Sequence, residues 1–143
     1  MRPVRIGQLG EVERTVAPEH LAERFENAGV AVLATPVLCH WFESAAVSAV
    51  AEQLDPGEAT VGTRLRIEHL KATPPGMRVR TVARVVAFEG RQLSFEIEAF
   101  DEIELVARGT HDRVVIDLER FLAGTQAKRL RQAPGTRGGS HGR

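Results

Sequence analysis

The chain has 143 residues, 43% of them hydrophobic, which is enough for one well-buried core and too few for two. Lysine plus arginine and aspartate plus glutamate each number 19, so no net field draws the molecule to nucleic acid or an anionic membrane, and any anionic ligand has to be met by a local cluster. The lone cysteine, Cys39, excludes an internal disulfide framework and a multi-cysteine zinc site.

A reducing compartment suits that cysteine usage. The opening MRPVRIGQLG has no signal-peptide-like core, and no run approaches the roughly 20 apolar residues that span a bilayer. The expected location is the cytoplasm, with no membrane or nucleic-acid partner. Residues 1–131 read as a single domain, and 132–143, rich in glycine and other non-core residues, as a disordered tail.

Residues 8–17 read as a first strand. Pro18 and Glu19 then open a short helical turn that should carry Leu21 and Phe25 inward, and Asn27 to Gly29 breaks it. Thr35-Pro36 is a helix start, with Thr35 expected to cap free N–H groups and Pro36 tolerated in the first turn. The helix should run to about Leu54, where Asp55-Pro56-Gly57 stops it. Between Pro36 and Ala51 the single acid is Glu43 and there is no lysine or arginine, so protein should enclose this helix on most sides.

Strand periodicity follows. Thr63, Leu65, Ile67 and His69 should share an inward face and Arg64, Arg66 and Glu68 the other. Thr73 to Gly76 is a turn, 77–88 a strand, and Glu89-Gly90 a reversal into 92–100, where Leu93, Phe95, Ile97 and Ala99 alternate with polar residues. Asp101 and Glu102 turn the chain into a last strand over 104–117, and Leu118 to Leu130 should be an exposed helix. One enclosed helix followed by a meander of long strands is an α+β arrangement, an antiparallel sheet wrapped around a central helix.

Three residues on this scaffold have the chemistry of a site. Glu43 has no cation at helical spacing, so it should be partly desolvated, which raises a carboxyl group toward the range of a base near neutral pH; a buried glutamate satisfied by backbone or a strand arginine fits the pattern equally well. His69 faces inward, as a site histidine or a hydrogen-bonded core histidine would. Thr35 reads as a cap whose position, beside N–H groups at the positive end of the helix, also suits binding of a substrate carbonyl oxygen. Arg113, near His111, has the chemistry to hold a phosphate or orient Glu43, and a solvated strand arginine has the same pattern. Cys39 and His40 are adjacent on a helix, about 100° apart, and make a poor nucleophile pair. There is no phosphate loop, dinucleotide fingerprint or spaced metal-ligand set, so no metal and no cofactor are expected.

Thr35 to Glu43, Val61-Gly62-Thr63 leading to His69, Ala72 to Gly76, Phe88 to Arg91 and Gly109-Thr110-His111-Asp112-Arg113 together resemble the fluoroacetyl-CoA thioesterase family of hot-dog proteins, over about residues 4–130. The resemblance implies a hot-dog fold. It also implies a catalytic set of Thr35, Glu43 and His69, with Gly62 and Arg113 as supporting, substrate-binding positions. It further implies a homodimer whose sheets join edge to edge, with two sites at the subunit interface and CoA phosphates met by basic residues. One departure bears on substrate. The fluoroacetyl-specific enzyme has a longer segment before its threonine, with phenylalanines forming a lid, whereas Glu26 to Ala31 is short and Phe25 is the nearest phenylalanine. The expected activity is therefore hydrolysis of a short or small acyl-CoA thioester, not specific for fluoroacetyl-CoA. A hot-dog acyl-CoA hydratase or dehydratase and a non-catalytic acyl-CoA binding module are the alternatives, and the intact Thr35, Glu43 and His69 set stands against the second.

Overall fold

The computed structural model describes residues 1–132, so the expected tail, beyond its first residue, lies outside the described residues. Five strands, β1 (Leu9–Thr15), β2 (Glu58–His69), β3 (Arg78–Glu89), β4 (Gln92–Phe100) and β5 (Leu105–Asp117), form one antiparallel sheet in the order β1-β3-β4-β5-β2. The helix α1 (Thr35–Val50) packs on the inner face of that sheet, and α2 (Leu118–Leu130) follows the last strand with no buried residue. This is the hot-dog arrangement expected from the sequence, with strand limits within a residue or two of those expected.

The core forms where the period-2 faces of the strands meet α1. Val79, Ala83 and Val85 of β3 and Leu93, Phe95, Ile97 and Ala99 of β4 face Leu38, Phe42, Ala45, Ala46 and Ala49 of the helix, all essentially buried. Small helix residues let the backbones approach. Gly10 of β1 lies directly under α1, and a Cβ there would collide with the backbone of Ala45 and Ala49, which cannot swing aside as a side chain can. Replacing Gly10 by alanine should therefore cost about 3 kcal/mol through overpacking. A urea midpoint within error of the parent protein would refute that contact.

Four local expectations change. α1 is capped by the backbone of Ala34, whose carbonyl accepts from Val37 and Leu38 N–H, so Thr35 is the first helical residue and its side chain is not a cap. The helix ends at Val50, and Ala51–Gln53 adds a 3-10 turn. Phe25 points outward, 45% exposed, because Glu26 turns the chain through the left-handed region (φ 68°); Leu21 is buried as expected. Finally, α1 is covered by the sheet and, at Trp41, by His20 of the preceding turn, but His40, Val47 and Ser48 form an open stripe along the remaining side.

The strand β2 carries a correction that matters for the site. Its register against β5 shifts between Gly62 and Arg64, so Thr63 is the extra residue of a bulge. Thr63 is exposed rather than inward. The extra residue brings Thr60 and Gly62 onto the same inward face as Leu65, Ile67 and His69, opposite Val115, Arg113 and His111 of β5.

Candidate active site

Two polar groups lie along α1. At its first turn, Thr35 Oγ1 is 2.7 Å from His69 Nδ1, a hydrogen bond available because Ala34 has taken over the capping role. The other ring nitrogen, His69 Nε2, is buried and has no hydrogen-bond partner among the described residues. Burial holds the imidazole below its usual value, with the Lys71 backbone opposing, which favours the uncharged ring. Pro36 has no N–H, and those of Val37 and Leu38 are engaged by Ala34, so Thr35 contributes the one first-turn N–H with no acceptor among the described residues. The several N–H groups expected at the helix start reduce to one.

Further along α1 is the second group. Arg113 Nη1 donates to Glu43 Oε2 at 3.4 Å, so a cation from β5 pairs with the carboxylate that has none on its own helix. The Glu43 side chain is half open, 46% exposed, whereas that of Arg113 is 7% exposed, so the expected desolvation of Glu43 is partial. Arg113 is fixed by the sheet: its Nε donates to Thr60 Oγ1 and its Nη2 to the Thr60 carbonyl, both at 2.9 Å. Burial pushes the guanidinium below its usual value and the Glu43 charge opposes this. With these partners Arg113 meets Glu43 across the sheet and is not a solvated strand arginine.

Gly62 completes this group. A Cβ at Gly62 would lie 2.6 Å from Glu43 Oε2, 3.1 Å from His111 Cε1 and 3.3 Å from Arg113 Nη1, so the glycine leaves the space that the carboxylate fills. Gly62→Ala should push the flexible carboxylate off Arg113 and lower kcat about tenfold or more, the scale expected for a group displaced by about 1 Å. Melting temperature should barely move, because the displaced atom is the end of a half-exposed side chain. Unchanged kcat in this variant would count against Gly62 as a spacer for Glu43.

The structure thus joins Thr35 to His69 and Glu43 to Arg113 and Gly62, but no hydrogen bond connects the two groups. Eight residues of helix separate Thr35 from Glu43, a rise of about 12 Å. Thr60 was not singled out from the sequence, and His111 entered only as a neighbour. Both sit two residues from a site position on an inward strand face, a signal hidden on β2 by the bulge. A groove of about 390 Å³ runs beside Glu43, lined by Val12, Arg14, His40, Val47 and Arg113. A larger depression, about 760 Å³, lies on the outer sheet face, on the opposite side of the sheet from this chemistry, where Arg84 pairs with Glu96 and Arg108 with Glu68. Among the described residues, no cluster of histidine, cysteine and acidic side chains could hold a metal, and no helix is long and apolar enough to cross a membrane.

A curled sheet around one helix, with a Thr–His pair at the helix start and a carboxylate on its open side, defines a thioesterase of the hot-dog class. The pattern of the FlK family, fluoroacetyl-CoA-specific thioesterase, matches residues 16–119. The fluoroacetyl-CoA thioesterase of Streptantibioticus cattleyicolor is 41% identical over 97 residues, 68% of this chain and 70% of that one. A Thermus thermophilus protein of the thioesterase superfamily superposes with a TM-score of 0.86 at 31% identity, over 92% of this chain and 97% of that chain. A point mutant of FlK solved with fluoroacetate and CoA gives a TM-score of 0.77 at 35% identity, over 82% of this chain and 99% of that one. The chain belongs to the fluoroacetyl-CoA-specific thioesterase family and is a thioester hydrolase.

Proposed function

We propose that this enzyme hydrolyses short acyl-CoA thioesters to the free acid and CoA, without fluoroacetyl specificity and without a cofactor. The observation that carries the reading is the half-open Glu43 carboxylate, held by Arg113 beside Gly62 and facing the groove on the open side of α1. Glu43 takes a proton from water as the water oxygen attacks the thioester carbon. In the dimer the N–H of the second copy's Thr35, not that of the same helix, receives the developing oxyanion; collapse breaks the C–S bond, and the proton taken up by Glu43 passes to the sulfur, releasing CoA as its thiol. Attack by the carboxylate itself, giving an anhydride that water then opens, needs the same unprotonated Glu43 oxygen. His69 is held by Thr35 through Nδ1, and local opening at the helix start would bring its unengaged Nε2 to the reacting thioester.

Breadth toward the acyl group follows from the segment before Thr35. An isolated bridge between Leu21 and Leu33, with Ala22 N–H bonded to the Val32 carbonyl at 2.8 Å, ties it into a short loop whose Phe25 and Val30 are exposed. No phenylalanine from it covers the site.

The working unit in this reading is a cytoplasmic homodimer with two sites at the subunit interface. In favour are the edge position of the 12-residue β2, the open stripe of α1, and the separation of the two polar groups within one chain. A dimer completes the site by bringing a second copy of each group. Sedimentation velocity would give the mass directly.

Thiol release from acetyl-, fluoroacetyl-, butyryl- and phenylacetyl-CoA by the purified protein and its Glu43→Gln variant tests the activity. Release by the parent protein that vanishes in the variant is expected, with fluoroacetyl-CoA not preferred. No thiol from any ester would leave the binding-module reading in its place.

A further inference from the structure

His111 is among the most deeply buried polar residues of the chain, 1% exposed, and the mechanism above gives it no task. Its Nδ1 lies 2.7 Å from the Arg64 carbonyl oxygen, which can only accept, so Nδ1 carries the proton. In a neutral imidazole the other nitrogen is then an acceptor. It is met by Arg113 Nη1 at 3.1 Å, the same guanidinium nitrogen that reaches Glu43.

We propose that His111 is a positioning residue: anchored through Nδ1–H to the Arg64 carbonyl, it uses Nε2 to aim Arg113 Nη1 at the Glu43 carboxylate. The inference rests on the reading of Glu43 as the reacting carboxylate. The Arg64 carbonyl belongs to the residue where the β2 register resumes after the Thr63 bulge, so the irregularity in β2 and the imidazole on β5 act as one device. Thr60 fixes the Nε and Nη2 sides of the guanidinium, and His111 fixes the Nη1 side. The bond to Glu43, at 3.4 Å, is the longest of the four, so the sheet holds the guanidinium more closely than the carboxylate does.

The surroundings keep His111 in the accepting form. Phe95 covers the ring from β4 at 6.2 Å between centroids, and Gly62 leaves space beside Cε1. Burial, then the Arg113 charge, lowers its affinity for a proton against the opposing Arg64 carbonyl, Glu43 and Asp112. A second ring proton would point an N–H at a guanidinium N–H.

Two near-isosteric variants separate orientation from packing. His111→Asn can still donate to the Arg64 carbonyl but ends short of Arg113, while His111→Gln can extend an amide oxygen to the place of Nε2. The expected result is a loss of kcat of about 10- to 100-fold in the asparagine variant, with KM within about twofold, and recovery to within about threefold of parent kcat in the glutamine variant. In a Glu43→Gln background the asparagine substitution should add no further loss, because its effect passes through the carboxylate. Parent-like kcat in His111→Asn, or equal losses in both variants, would overturn the inference. A fully active Glu43→Gln enzyme would instead overturn the reading of Glu43 itself.

Discussion

Glu43→Gln is expected to lower kcat about 1000-fold while the protein keeps its fold. The magnitude follows from removing a general base, which contributes about 10²–10⁴-fold. Glutamine keeps the length and shape of the side chain and its oxygen can still accept from Arg113 Nη1, so what disappears is the capacity to take a proton or attack carbon. Removing the charge beside a buried guanidinium usually destabilises. Here Arg113 keeps both Thr60 acceptors and His111, and Glu43 is nearly half exposed, so the stability loss should stay below about 2 kcal/mol. Stopped assays for free thiol together with a thermal melt decide the matter. Retention of a tenth or more of parent turnover in a folded variant would falsify the assignment of Glu43.

Most of the fold was legible because it rests on local periodicity. Alternation along 92–100 gives β4 with its limits, and Asp55-Pro56-Gly57 marks the turn into β2, with Gly57 at φ 85°. What escaped were features set by partners distant in sequence. The bulge at Thr63 cannot be read from β2, because it exists only in register with Asp112 and Arg113 of β5. The Arg113–Glu43 pair was one of the alternatives open for both residues, and only the sheet, which brings together positions 70 apart in the chain, selects it. Thr35 followed by proline is a sound cap signal, yet the burial of Ala34 and its N–H bond to the His20 carbonyl move the cap back by one residue. That shift frees the hydroxyl for His69. The resemblance named the candidate residues, and the structure adds how each is held.

The pairing of Thr35 with His69 leads to the second large effect. His69→Ala should lower kcat about 100-fold or more, the lower range for a positioned proton-transfer group, since Nε2 is the ring position left for the substrate. Thr35→Ala should lower it by a similar order, because the imidazole loses the 2.7 Å bond that fixes its orientation, whereas Thr35→Ser keeps the hydroxyl and should stay within about threefold. If the two residues act as one unit, the double alanine variant will be about as slow as the His69→Ala enzyme rather than slower by the product of the two losses. The acid side of the pH profile carries the same signature. Because burial lowers the proton affinity of His69, the parent enzyme should hold kcat/KM level as pH falls to about 6.5, the ordinary histidine value, and lose it only below that. His69→Ala should lose that part of the acid limb. Strictly multiplicative losses in the double variant, or an acid limb unchanged by His69→Ala, would mean that Thr35 and His69 serve separate ends.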